Sequence, residues 1–278
     1  MTPSVRRARA AFLRACELDV AVRKPGNVSV ESPGHGMHAA QFVASAQAAA
    51  GALFEPGALV GARIEGAVGA TLAAAGCNTN LGIVLLCAPI AMAAQALPAA
   101  PGAAALRAAL EEVLAALDID DARRAYQAIA LARPAGLGRA PREDVHGAPS
   151  VGLAAAMALA ADRDSIARQY RDGYAELFER ALPACGPPPH GAAAVQRVYL
   201  GFLARVPDSH VVRKHGSELA HHVMHEAKAW SERAESGAAL DADPAFAAWD
   251  ESLKARRVNP GTSADLTVAT LMLAGIAT

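Results

Sequence analysis

Leu81 to Ala94 is a run of 14 residues without one charged or amide side chain. It contains Pro89 and falls short of the roughly 18 apolar residues that a bilayer span requires. The run therefore predicts a core helix that is apolar on every side, and such a helix is stable only when other elements surround it. Its neighbours read as helices too. Apolar residues recur at helical spacing along the chain, and no stretch alternates β-branched with polar residues as a half-buried strand does. Hydrophobic residues make up 53% of the chain and aromatics only 4%, so the interior must be built from Ala, Leu, Val and Ile, which lets helices approach closely. The expectation is an all-α fold, a compact bundle of about ten to twelve helices. The 278 residues exceed the usual roughly 100 to 200 of one domain, yet no linker-like stretch divides them, and residues 1–278 are expected to form a single domain.

The periodicity places helices near 4–22, 37–53, 57–75, 81–97, 101–116, 119–132, 150–161, 163–181, 190–205, 215–237, 244–254 and 263–277. Asp118, Asp162 and Asp243 read as N-caps, the last followed by Pro244 at the first helical position. Breaks fall at Lys24-Pro25-Gly26-Asn27, Arg133-Pro134-Ala135-Gly136, Pro187-Pro188-Pro189 and Asn259-Pro260-Gly261.

A formal charge of −1 argues against a nucleic-acid footprint, which would show as clustered Lys and Arg in excess. A small-molecule partner fits better, and nothing in the pattern opposes a homo-oligomer. Arg14, Glu17 and Asp19 interrupt what would be the apolar stretch of an export signal. Cys16, Cys77, Cys87 and Cys185 lack the spacing of a zinc site or a disulfide frame, so reduced thiols in the cytoplasm are expected.

Chemistry concentrates in polar loops that the core does not need. In Lys24-Pro25-Gly26-Asn27, proline stiffens the turn, Gly26 allows close backbone approach, and Lys24 and Asn27 offer a charge and an amide to an anion. Asn78, Thr79 and Asn80 stand ahead of the most apolar helix. Three adjacent polar side chains there are costly to bury without partners, and a helix N-terminus suits phosphate oxygens; capping of that helix explains them equally well. Before the last helix, Asn259, Gly261 and Ser263 lead to Asp265, a carboxylate in the first turn that could hold Mg²⁺. Arg213 and Lys214 suit a polyphosphate. His221 and His225 share a helix face, but without a third ligand at a diagnostic spacing they read as a polar face. No Walker loop, GxGxxG fingerprint or GxSxG elbow is present.

Taken in order, Lys24-Pro25-Gly26-Asn27-Val28, Gly76-Cys77-Asn78-Thr79, Arg213-Lys214-His215-Gly216 and Asn259-Pro260-Gly261-Thr262-Ser263-Ala264-Asp265 resemble the motifs of the triphosphoribosyl-dephospho-CoA synthase family across nearly the whole chain. The resemblance implies an enzyme, a pentosyltransferase with ATP as substrate and Mg²⁺ as cofactor, that transfers the triphosphoribosyl group to 3′-dephospho-CoA and releases adenine. It implies phosphate or nucleotide binding by Lys24, Asn27, Thr79, Asn80, Arg213, Lys214, Asn259, Gly261 and Ser263. Asn78 and Asp265 would be catalytic, with Asp265 as base or Mg²⁺ ligand. Typical members continue the second motif as Asn-Thr-His-Lys-Gly, whereas this chain has Asn78-Thr79-Asn80-Leu81-Gly82 and so lacks an imidazole and an ammonium there. That variant resembles a branch found beside pterin-dependent one-carbon metabolism. Two other readings therefore stand: an enzyme of the same fold in biosynthesis of a methanopterin- or methanofuran-type carrier, and a nucleotide-binding protein without turnover.

Overall fold

The computed structural model describes residues 1–277. Among these, fourteen α-helices and no strand form the chain: α1 Pro3–Ala21, α2 Ala39–Leu53, α3 Val60–Ala75, α4 Leu81–Gln95, α5 Ala103–Ala115, α6 Ile119–Ala132, α7 Leu153–Ala158, α8 Ser165–Arg171, α9 Leu182–Cys185, α10 Ala192–Leu203, α11 Ser209–His215, α12 Ser217–Glu235, α13 Pro244–Ala255 and α14 Gly261–Ala277. None of these helices is long and apolar enough to cross a membrane.

The apolar run is α4, buried from Leu81 to Ala91 without interruption. It packs against α1, α2, α3, α5 and α14. Pro89 lacks the N–H that would reach the Leu85 carbonyl one turn back. The Tyr170 hydroxyl takes that place, donating to Leu85 O at 2.6 Å, and the Tyr174 hydroxyl donates to Leu86 O at 3.0 Å. A proline in the central helix is thus tolerated because α8 and the turn after it supply replacement donors.

The same contacts explain why there are more helices than expected. The helix read over 163–181 is broken: after α8, Gly173 and Tyr174 both take left-handed backbone, φ 60° and 56°, which carries the buried Tyr174 ring onto α4. A π-helical turn, Leu177–Ala181, then leads into α9. The basic segment expected as a loop ahead of a helix at 215 is itself α11, separated from α12 by Gly216 at φ 90°. The N-cap of α8 is Asp164, which accepts from Ile166 N and Ala167 N, and not Asp162. Asp118 and Asp243 do cap α6 and α13.

Two hydrophobic clusters form the interior. The larger is centred on α1, α4 and α14, and the smaller is built from α10 to α13. Both draw on α10 and α14, with Val195, Val198 and Leu266 in the first and Tyr199, Leu203 and Ala264 in the second.

Candidate active site

One cleft of about 720 Å³ opens where α1, α4, α8, α11 and α14 converge under the loop from Arg133 to Val145. That volume lies in the usual range for a small-molecule site.

The first and last sequence motifs are locked together at its base. Gly26 has φ 82°, and a methyl group in place of its hydrogen would stand 2.8 Å from both Pro260 Cδ and Val258 O. Asn27 Nδ2 donates to Asn259 Oδ1 at 2.9 Å, and both residues line the cleft together with Gly261. Lys24 does not reach it. Its side chain is fully buried, with Nζ 2.5 Å from the Asp19 carbonyl, 3.0 Å from Asn27 Oδ1 and 3.1 Å from Asp19 Oδ1. The role given to Lys24 as a phosphate ligand therefore does not fit: its donors already meet three oxygens inside the protein.

The second motif forms the opposite wall. Asn78 Oδ1 accepts from Leu81 N at 3.1 Å, so it caps α4 while facing the cleft. The Thr79 hydroxyl donates to Ser45 Oγ at 2.6 Å. Asn80 Oδ1 accepts from the Thr71 hydroxyl at 2.9 Å, which leaves its buried Nδ2 without an acceptor in the protein. An unpaired buried donor lining a cleft is poised for a ligand oxygen or nitrogen. Gly82 is essential for space, since a Cβ there would lie 2.0 Å from Asp265 Oδ2.

Asp265 itself receives no hydrogen bond from any described residue. Burial pushes its carboxyl well above the ordinary carboxylate range, and the nearby acids Asp19 and Asp208 push it further, against a smaller opposing pull from Arg213. Ser263 is turned away from the cleft: its N–H and hydroxyl both donate to Asp208 Oδ2, at 2.7 and 2.8 Å. The other oxygen of Asp208 accepts from His210 N and Val211 N. One buried carboxylate thus holds the N-termini of α11 and α14 together, and Ser263 serves as its anchor in place of the phosphate role expected of it.

Arg213 and Lys214 line the cleft from α11. Arg213 is braced by Ala135 O at 3.0 Å and by Asp164 at 3.6 Å, whereas among the described residues no acidic side chain pairs with Lys214. Arg133, Arg142 and Arg163 add positive charge to the lining, as a polyphosphate site requires. Sequence reasoning passed over Asp19, His35 and His210, all on the cleft wall. Asp19 was legible in principle as a carboxylate among buried positions of α1; the two histidines carry no local signal. Among the described residues no group of three His, Cys, Asp or Glu side chains is arranged to hold a metal, and His221 and His225 point from exposed parts of α12.

The family profile described as ATP:dephospho-CoA triphosphoribosyl transferase matches residues 5–278. A crystal structure from Archaeoglobus fulgidus, provisionally assigned as a triphosphoribosyl-dephospho-CoA synthase, superposes with a TM-score of 0.63 at 25% identity, covering 85% of this chain and 98% of that one. No curated protein matches the chain. Since the family match runs almost end to end and takes in every loop that meets at the cleft, the chain belongs to the ATP:dephospho-CoA triphosphoribosyl transferase family and is a transferase.

Proposed function

We propose that this chain transfers the triphosphoribosyl group of ATP to a ribose hydroxyl of 3′-dephospho-CoA and releases adenine. The observation that carries the reading is the convergence of Asn27, Asn78, Arg213, Asn259 and Asp265, drawn from four distant motifs, on one cleft. The reaction replaces the C1′–N9 bond of ATP with a C1′–O bond through a transition state of oxocarbenium character. It needs the triphosphate held, the two ribose rings aligned, and adenine stabilised as it departs.

Arg213 and Lys214 would hold phosphate oxygens, and Arg163 and Arg142 line the same cleft. Asn80 Nδ2 and Asn78 orient a ribose hydroxyl or the base. Leu81, Ile83 and Ile166 line the same wall, keeping water from the reacting carbon and strengthening the polar contacts. Asp265, which receives no hydrogen bond from any described residue, would hold a Mg²⁺ brought in with the nucleotide. Such an ion would neutralise charge on the triphosphate. Residues 1–278 are proposed to act as one domain, in the cytoplasm, with small nucleotides as partners.

Incubation with ATP, Mg²⁺ and 3′-dephospho-CoA, followed by mass spectrometry, tests this reading. Adenine and the coupled product are expected together, and adenine only when the acceptor is present. ATP binding without adenine release would remove dephospho-CoA as acceptor and bring one-carbon carrier precursors forward.

A further inference from the structure

His210 stands at the start of α11 with its backbone N–H bound to Asp208 Oδ1 at 2.9 Å. Its ring Nδ1 lies only 3.1 Å from where a Cβ on Gly261 would be, so the absence of a side chain at 261 gives the imidazole its place. The half-buried ring lines the cleft, and neither ring nitrogen has a hydrogen-bond partner among the described residues. His35, the other histidine on the wall, is different. Its Nε2 is 2.8 Å from the Gly26 carbonyl, which fixes the proton on that nitrogen, and its Nδ1, though also without a partner among the described residues, is buried, whereas neither His210 nitrogen is.

We propose that His210 is the proton acceptor for the attacking ribose hydroxyl. The inference rests on the transfer reaction proposed above. In a neutral imidazole one ring nitrogen carries a lone pair and no hydrogen, and His210 is the cleft imidazole whose nitrogens are open to a ligand. The hydroxyl oxygen forms the bond to C1′ of ATP and its proton passes to that nitrogen. The C1′–N9 electron pair leaves with adenine, which takes up one proton from solvent, and the His210 imidazolium returns its proton to solvent, so that proton and charge balance over the turnover. Position 80, where the related motif carries an imidazole, is asparagine here; His210 brings an imidazole to the same cleft from another helix.

Burial, and then the cations around it, lower the His210 pKa to about 4, so the free enzyme presents the neutral ring throughout the physiological range. The charged groups acting on it are Arg213, Lys214 and His215 on its own helix and His35 across the cleft, while Asp208 accepts from its backbone N–H and Asp265 lines the same cleft from α14. A bound triphosphate offsets Arg213 and Lys214, which raises the basicity of the ring when substrate is present.

The test compares the native chain with His210→Ala and His210→Asn, using adenine release with dephospho-CoA. Both variants should lose kcat by about 100-fold or more with the ATP KM changed less than about threefold, and free imidazole should restore part of the rate in His210→Ala. The acid limb of the kcat profile should vanish in His210→Asn, whose circular dichroism reports whether the fold is intact. A kcat within about threefold of native, or a loss confined to KM, would overturn the assignment. If the native chain itself releases no adenine, the acceptor reading has failed. His210 is then judged by NMR titration of its ring: tripolyphosphate should raise its pKa by about one unit, and an unmoved pKa would remove it from the site.

Discussion

At Lys24 the ammonium meets three oxygens of its own protein, and the side chain has no exposed surface. Its charge is therefore committed to Asp19 and to the shape of the loop, while Arg213 and Lys214 face the cleft. Asp265 shows the opposite economy, a carboxylate with acids for neighbours and no donor. Its proton affinity is higher in the folded chain than in the unfolded one. A group raised in this way contributes its stability fully below the ordinary carboxylate range, and that contribution is lost as pH rises through the folded value. Asp265→Asn, neutral at every pH, should accordingly melt several degrees above the native chain at pH 8 and with it at pH 3, while turnover collapses. Thermal unfolding at the two pH values checks this; an equal gain at both would mean that packing, not charge, had changed. Such a trade of stability for activity is common where a site must keep an unpaired charge.

The central helix was legible in the sequence because an uninterrupted apolar run has no other home in a bundle. So were most helix spans, which follow directly from periodicity and from caps such as Asp118. The break after α8 was not. Its cause is tertiary: Tyr170 and Tyr174 are needed at two carbonyls of α4, one of them freed by Pro89, and the chain turns left-handed at Gly173 and Tyr174 to deliver the second ring. No reading of residues 163–181 alone contains that demand. Nor could a local reading show that Asp208 ties α11 to α14, because the two N-termini are brought together only by the fold. The dependence on Pro89 leads to an element-level prediction. Tyr170→Phe keeps the ring but leaves the Leu85 carbonyl buried without a donor, at a cost of about 1 to 3 kcal/mol, measurable in denaturant unfolding. In a Pro89→Ala background the restored N–H should reach that carbonyl and make the same substitution cheaper; an undiminished cost there would refute the replacement-donor account.

Across the whole molecule, the site is assembled from the two ends of the described chain, with Asp19 and Asn27 meeting Asn259 and Asp265 on one wall. The loops themselves stood out in the sequence, as polar punctuation between apolar helices. Which side chains face the cleft did not, since Lys24 is turned inward by Asp19 and Asn27 and Ser263 by Asp208, partners that only the fold brings within reach. The closure is tightest at Gly26, against Pro260 and Val258. There an alanine must find room for a methyl group in backbone of the wrong hand, at φ 82°. A ligand that bridges both ends stabilises the closed form by mass action, by about 2.7 kcal/mol when it is present at 100 times its Kd. For a chain of this size that corresponds to a rise in Tm of about 5 °C. Gly26→Ala should lower the Tm of the free protein, and, because Asn27 and Asn259 are prised apart, should also reduce the rise that a fixed saturating concentration of ATP produces in the native chain. If the variant is merely destabilised and keeps the full ATP-induced rise, the junction supports the fold without shaping the site. A diminished rise shows that joining the ends is part of how the nucleotide is held.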